Sequence, residues 1–425
     1  MIFNFIKYQT PIWYYNLKPV TDFGYFPSEI QMRNNNFNLQ KDERYLSKES
    51  KIRDLAWTAF QSGYINKSYE PGLNIWNSVE LPLADEYLFL RKNFHKAWVL
   101  YTFFIRIFTL HNPIKETFAF LKHKKVKRQD YSNQVFEYHN YQNFNSELIN
   151  SNPLVSVVIP TLNRYQYLKD VFLDLEKQTY KNFEVIVVDQ TDNFQEEFYK
   201  GWKFDLKYWF QPEKALWKAR NEAIKSAKGE LILLYDDDSL VDKNWIEEHL
   251  KCLDYFQADL SSGVSISVVG AEVPKSYSYF KWSEQLDTGN VLLKKEIFEK
   301  IGYFDLQFEK QRMGDGEYGL RCYLNGFKNI SNYKAKRIHL KVSEGGLRQM
   351  GSWDGWRPKK LFGPRPVPSV LYLSRKYFGN YLSRLFLLKA ILPSFVPYQF
   401  KKNKKLKILS FFLIPFFFPL ICYQI

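Results

Sequence analysis

Leu231-Ile232-Leu233-Leu234-Tyr235-Asp236-Asp237-Asp238-Ser239 is a short apolar run that stops abruptly at three carboxylates. An unbroken run of this length predicts a strand buried on both faces, as in a sheet covered by helices. In open α/β sheets ligands gather outside the carboxyl ends of the strands, which is where these acids stand. Three adjacent Asp side chains repel one another and favour a cation. Hard divalent ions such as Mg²⁺ or Mn²⁺ take oxygen ligands and keep a substrate's phosphates in their shell. The plain alternative is a solvated acidic turn in which Asp238 or Ser239 caps the next helix.

Upstream, Leu154–Ile159 is a β-branched run stopped by Pro160-Thr161, and Tyr165–Gln178 carries apolar residues at helical spacing (Leu168, Val171, Phe172, Leu175). Phe183–Val188 is a second buried strand ending in Asp189, Leu206–Phe210 a third, and Ala215–Ala227 a helix. Strands alternating with helices imply βαβ units and a parallel sheet. Thr161, Asp189 and the Asp triplet then converge at one edge of that sheet. Downstream we expect a helix over Trp245–Phe256, a strand over Val264–Val269, and a strand at Val291–Leu293 after Asp287-Thr288-Gly289-Asn290. Gly314-Asp315-Gly316-Glu317 opens a helix that Gly326 ends. A short strand, Lys336–Val342, contains His339. The loop Gly345-Gly346-Leu347-Arg348 offers backbone N–H groups and a cation to a diphosphate, or is a simple turn.

The chain has 425 residues and a formal net charge of +15. A basic balance points to polyanionic partners: nucleic acid, nucleotide phosphates or an anionic membrane. Three cysteines (Cys252, Cys322, Cys422) without close spacing exclude a zinc site and fit a reducing compartment. The start lacks the apolar core of a secretion signal, so export is not expected. We expect three parts: an N-terminal extension over residues 1–150, a catalytic domain over 151–350, and a basic, apolar region over 351–425. In the first, Ala97–Leu110 is apolar apart from Arg106 and too short to span a bilayer. The run Lys122–Arg128 suits anionic lipid, nucleic acid or plain solvation, and the Asn-rich stretch Tyr131–Pro153 reads as a linker. In the last, Lys401-Lys402-Asn403-Lys404-Lys405 precedes an apolar tail, Ile408–Tyr423, broken by Pro415 and Pro419. A basic cluster beside an apolar tail suits the inner leaflet. This predicts a cytoplasmic protein held peripherally at the inner face of the cell membrane, unless the tail folds onto the protein's own surface.

Val157-Val158-Ile159-Pro160-Thr161-Leu162-Asn163-Arg164, Phe183–Thr191, Ala219-Arg220-Asn221-Glu222-Ala223 and Leu233–Asp238 together resemble the family-2 glycosyltransferases, which have the GT-A nucleotide-sugar-binding fold. Thr288-Gly289-Asn290, Ile301–Asp305 and Gly314–Arg321 resemble that family's acceptor-side motifs, so the resemblance covers about residues 154–345. It implies an α/β fold with a Rossmann-like, mainly parallel sheet flanked by helices. It also implies that Pro160, Thr161, Asn163 and Arg164 line the nucleotide pocket and that Asp189 bonds the base. Arg220 positions the nucleotide or its phosphates, and Asp236 and Asp237 belong to the nucleotide site. Asp236 and Asp238 hold Mg²⁺ or Mn²⁺, with His339 either a further ligand or a core residue. Asp315 is implied as the base of an inverting transfer from a nucleotide-diphospho-sugar to a glycan or lipid-linked glycan. Two departures stand out: Gly314 precedes Asp315 where the family usually has Glu, with Glu317 two residues on, and Ala215 stands where the family often has Gly. Trp217, Trp282, Trp353 and Trp356 are left without a role.

Two other readings compete. A nucleotidyltransferase would want a Gly-rich phosphate loop after the first strand, and Pro160–Arg164 has no glycine. A nucleic-acid-binding protein would cluster its cations on one motif, whereas here they concentrate in flanking runs. Nucleic acid is therefore not expected as a partner.

Overall fold

The computed structural model describes residues 1–67, 72–77, 79–268, 272–342, 346–347 and 366–394, with side chains as far as residue 389 in the last segment, and residues 412, 415, 416, 418 and 419. Gly345, Arg348, Trp353, Trp356, Cys422, the Lys401–Lys405 cluster and most of the apolar tail lie outside the described residues. The backbone divides into two compact units, one of residues 1–136 with 356–425 and one of residues 137–355.

The first unit is helical: α1 (Ile6–Gln9), α2 (Glu29–Asn34), α3 (Lys48–Gln61), α4 (Leu83–Asn93), α5 (Lys96–Phe108) and α6 (Pro113–Lys122). Its helix starts follow local chemistry. Ser28 and Gln31 form a capping box on α2, the Ser47 hydroxyl accepts from the Ser50 N–H on α3, and Pro113 occupies the first turn of α6. The core is aromatic: Phe3 stacks on Phe89 at 4.0 Å, and Trp13 packs edge-on against Trp57 and Phe60. Within it Lys92 pairs with Asp54 at 2.6 Å and Asp42 at 2.8 Å, so that buried charge is compensated.

The second unit is an α/β domain. After α7 (Glu147–Asn150) come β1 (Val155–Thr161), α8 (Tyr165–Glu176), β2 (Phe183–Asp189), β3 (Asp205–Phe210), α9 (Leu216–Ser226) and β4 (Leu231–Tyr235). Then follow β5 (Ser239–Val241), α10 (Trp245–Phe256), β6 (Leu260–Ser267), β7 (Lys281–Trp282), β8 (Asn290–Lys294), α11 (Glu296–Ile301), α12 (Gly314–Leu324) and β9 (Asn329–His339). The nine strands form one sheet, in the order β3-β2-β1-β4-β8-β6-β9-β5 with β7 beside β9. The half β3-β2-β1-β4 is parallel, and β8 joins β4 antiparallel. Every residue of β1, β2 and β4 is buried, the physical counterpart of their unbroken apolar sequence. A last helix, α13 (Pro368–Ser394), belongs to the first unit and is kinked at Gly379, whose φ is +68°.

The strand order reverses between β1 and β4: β2 and β3 lie on one side of β1, and β4 on the other. Such a switch point opens a crevice at the strand ends. Pairing of β1 with β4 stops at Val158↔Leu234, two residues before Pro160, so the proline's missing N–H falls where these strands have parted. Three expectations need correction. Residues 131–153 are no free linker, because Tyr138, Tyr141 and Phe144 pack their rings on Tyr255 and Phe256. The strand expected from Val264 begins at Leu260, and the one expected from Lys336 begins at Asn329. Small polar residues carry those missing halves, and their β signal is weak.

Candidate active site

The acids after β4 are not a solvated turn. Asp237 is 4% exposed and Asp238 2%, and Ser239 begins β5 instead of capping α10. Each carboxylate is partnered, and Arg164 serves two of them. The Asp236 Oδ1 accepts from Arg220 Nη2 at 2.9 Å, and its Oδ2 from Arg337 Nη1 at 2.7 Å. The Asp237 Oδ2 accepts from the Thr161 hydroxyl and its Oδ1 from Arg164 Nη1, both at 2.8 Å. Asp238 lies 3.2 Å from Arg164 and 3.3 Å from His339 Nε2. Burial pushes the Asp237 carboxyl up to about 6, in spite of Arg164 beside it. Asp236, Asp238 and His339 each present one ligand atom, all within 4.8 Å of one another. Two carboxylates and an imidazole suit a divalent cation, so the donor set fits the expected metal.

The structure thus brings Thr161, Arg164, Arg220, Asp236, Asp237, Asp238 and His339 together as hydrogen-bond and ion-pair partners around the Asp triplet. Asn163 stands at the tip of the β1–α8 turn in the left-handed region, φ +55°, which Asn tolerates where a glycine would otherwise serve. Its N–H donates to the Thr191 hydroxyl at 2.9 Å, tying the turn to the end of β2. Gly346 lies against the same turn: its N–H donates to the Leu162 carbonyl at 2.6 Å, and a Cβ there would meet the Arg164 guanidinium at 2.4 Å. Pro160 is buried in β1. Asp189 pairs in register with Thr161 across β1 and β2 but is fully enclosed. Its carboxylate accepts from the Thr191 N–H at 2.8 Å, from Tyr199 Oη at 2.8 Å and from Tyr165 Oη at 2.5 Å. A base that reaches Asp189 has to share it with two phenols.

Arg337, which the sequence did not single out, is the cation at the centre of this cluster. It is 1% exposed and spreads its fork over Ser265 (2.7 Å), Asp236 (2.7 Å), Ser239 (2.9 Å) and Asp287 (3.0 Å). Burial pushes the Asp287 carboxyl up, but the Arg337 guanidinium together with the hydrogen bonds from the Ser265 hydroxyl and the Gly289 N–H holds this acid below its usual range. The available signal was strand alternation, since Arg337 stands two residues before His339 and so on the same face. A cavity of about 380 Å³, lined by Ser265, Tyr277, Trp282 and Asp287 among others, opens beside this pair.

Asp315 is the second residue of α12, and Met313, at φ +78°, occupies the N-cap position. Asp315 therefore stands inside the first turn and is not the N-cap of α12. Glu317 is fully buried and paired with Arg321 at 2.9 Å, whereas Asp315 is only half-buried. The start of α12 reaches the acidic cluster through α9. Gly314 packs on the Trp217 ring, Arg220 lies 5.4 Å from that ring's centre, and Arg220 holds Asp236. Both departures from the family pattern have a local reason. A Cβ at Gly314 would come within 2.4 Å of Trp217, so a Glu there has no room. Ala215 has φ −144°, which demands no glycine. Gly314→Ala is expected to destabilise the fold by about 1–3 kcal/mol through overpacking, as a lower urea midpoint at unchanged m-value. An unchanged midpoint would show that α12 moves aside freely.

Fold and site together define an α/β domain with an acidic, arginine-compensated cluster at its switch point. Residues 156–310 match the model of the Glycosyl transferase family 2. Among curated proteins, the chain is 25% identical over 254 residues to the O-antigen biosynthesis protein RfbC of Myxococcus xanthus, covering 51% of this chain and 20% of that protein. It is 29% identical over 128 residues to the poly(ribitol-phosphate) β-N-acetylglucosaminyltransferase TarS of Staphylococcus aureus, covering 28% and 22%. A Rickettsia typhi glycosyltransferase is 28% identical over 36% of this chain and 54% of its own. The chain thus spans from a fifth to about half of these relatives' length. Among solved structures, S. aureus TarS in complex with UDP-GlcNAc aligns at TM-score 0.40 and 24% identity, over 48% of this chain and 62% of that one.

Proposed function

We propose that this protein moves a sugar from a nucleotide-diphospho-sugar to a hydroxyl of a glycan or lipid-linked glycan acceptor, with inversion. The observation that carries the reading is the chain of contacts Gly314–Trp217–Arg220–Asp236, which links the start of α12, the helix that bears Asp315, to the acidic cluster. Asp236, Asp238 and His339 would hold Mg²⁺ or Mn²⁺, which supplies positive charge to a departing diphosphate. Arg164 and Arg220, already aimed at the cluster, would position phosphate oxygens. Thr161 and Arg164 orient Asp237, and the turn Pro160–Arg164 with Asp189 forms the nucleotide wall. Asp315 would take the proton of the attacking hydroxyl. Relatives named for O-antigen synthesis and for poly(ribitol-phosphate) glycosylation support cell-surface polysaccharide assembly as the setting. In that setting the protein would work at the inner membrane face. Among the described residues no helix is long and apolar enough to cross a membrane.

The test is thermal stabilisation by a panel of sugar nucleotides with and without Mn²⁺. A ligand at 100 times its Kd adds about 2.7 kcal/mol to the native state. One donor is expected to raise the melting temperature only with metal present, and Asp238→Ala is expected to remove the metal-dependent part. A panel in which no sugar nucleotide stabilises the wild type would reject the reading. Metal-dependent stabilisation that persists in Asp238→Ala would remove Asp238 from the ligand set.

A further inference from the structure

Helices α5 and α6 are amphipathic the wrong way round for a water-soluble surface. Arg106, the one charge inside the apolar run of α5, turns inward. It pairs with Glu116 of α6 at 2.6 Å and lies over the Phe5 ring at 4.4 Å. Glu116 is itself buried and accepts from Tyr87 Oη at 2.6 Å. The outward faces are apolar instead. On α5, Leu100, Phe104 and Phe108 follow one another at four-residue steps, and Phe108 is 78% exposed. On α6, Ile114, Phe118 and Leu121 make the same kind of stripe, with Phe118 at 73%. Leu110, in the turn between the helices at φ +62°, is 94% exposed. A row of exposed aromatics over a buried ion pair marks a surface that meets something other than water.

Charge says what that is. Over residues 96–128 the exposed charged side chains are Lys96, Lys115, Lys122, Lys124, Lys125, Lys127 and Arg128, and the one acid of this stretch, Glu116, is buried. Apolar residues that enter an acyl region, flanked by cations with no exposed acid among them, complement an anionic lipid leaflet. A second protein surface would have to present an apolar groove rimmed only by acids. Neither helix is long enough to span a bilayer, so the fit is to the interface.

We propose that the α5–α6 hairpin is the surface by which this protein docks on an anionic membrane. The apolar stripes enter the headgroup–acyl boundary, and Lys122–Arg128 contacts lipid phosphates. The proposal rests on the membrane residence proposed above and on none of the catalytic residues. It moves the attachment from the C-terminal tail, where the sequence suggested it, to the N-terminal unit.

The experiment is flotation of the full chain with phosphatidylglycerol-rich vesicles and with pure phosphatidylcholine vesicles. Three variants accompany the wild type: F108S/F118S, K124E/K125E/K127E, and a truncation lacking residues 401–425. The wild type is expected to partition preferentially to the anionic vesicles and to be released by salt. Each hairpin variant is expected to lose about tenfold or more of that partitioning, and the truncation to keep most of it. The substituted residues are exposed, so both hairpin variants should melt as the wild type does and keep donor-induced stabilisation. That readout separates failure of this proposal from failure of the catalytic one. Anionic-vesicle binding that survives both hairpin variants overturns the proposal. So does binding lost only on removing residues 401–425, which assigns attachment to the tail. Concentration-dependent self-association abolished by F108S/F118S, without vesicle binding, overturns it in favour of a second copy of the chain.

Discussion

Asp315→Asn is expected to lower sugar transfer by about 10²–10⁴-fold, the usual worth of a positioned general base, while donor and metal binding persist. The substitution is nearly isosteric and removes only the ability to accept a proton. The Asp315 side chain is half-buried at the start of α12, and its Oδ1 accepts from the Gly316 N–H at 2.8 Å, a bond that an amide oxygen can also accept. Folding should therefore be untouched. Glu317 provides the contrast. It lies fully buried one turn before Arg321 and shares both oxygens with that guanidinium at 2.9–3.0 Å. Arg321 in turn donates to the carbonyls of Ile301 and Tyr303. Glu317→Gln should thus loosen the packing of α11 against α12 and lower stability, with an unaltered pH profile of the residual activity. The assay is transfer with the donor found by thermal screening, with donor affinity measured in parallel. If Asp315→Asn keeps wild-type turnover, or if Glu317→Gln alone removes the rate at unchanged stability, the base is not Asp315. Loss of donor binding in Asp315→Asn would move this residue to the donor side.

Much of the second unit could be read from local pattern, because there the local and global requirements coincide. Continuous apolar runs became β1, β2 and β4, and the period of Leu168, Val171, Phe172 and Leu175 became the buried face of α8. Strands built on polar residues were harder. Ser261 sits mid-sheet because its hydroxyl lies 2.9 Å from His249 Nδ1 and accepts from Asn332 Nδ2 at 3.1 Å. Gly263 is required there because a Cβ would come within 2.3 Å of the Ala335 carbonyl and of Asn290. Nothing in a window around Ser261 announces partners from α10 and β9. The N-terminal unit resisted for a related reason: its core is made of aromatic rings and enclosed ion pairs, so hydrophobic period is a weak guide. Arg106 looked like an interruption of an apolar helix, and its inward turn depends on Glu116, ten residues away and on the next helix.

The acidic cluster shows the same limit most sharply, and it leads to the largest stability effect. The sequence presented three acids wanting a cation, and the fold answers with arginines from three separate segments: Arg164, Arg220 and Arg337. Arg337→Met should cost about 3–5 kcal/mol at neutral pH, since removing one member of a buried ionic group leaves its partners uncompensated. Asp287 would lose the guanidinium that opposes its desolvation, and Asp236 would lose the one that donates to its Oδ2. Arg337→Lys should fall in between, because one ammonium cannot reach Ser265, Asp236, Ser239 and Asp287 together. The pH dependence carries the sign. In the wild type the folded-state pKa of Asp287 is depressed. Its contribution is therefore present above the ordinary carboxylate pKa and is lost as pH falls through the lower, folded value. In Arg337→Met, desolvation is no longer offset by the guanidinium and exceeds the hydrogen bonds from Ser265 and Gly289, which raises the folded-state pKa, so the native state binds the extra proton. The variant then regains stability as pH falls through that raised value towards about 4. The gap between wild type and variant should accordingly be widest near pH 7 and narrow on acidification. Urea denaturation of both proteins across that range measures it directly. A gap that is constant with pH would mean that the guanidinium contributes packing rather than charge. A gap below about 0.5 kcal/mol, the size expected of an ordinary surface substitution, would mean that the cluster does not depend on Arg337 at all.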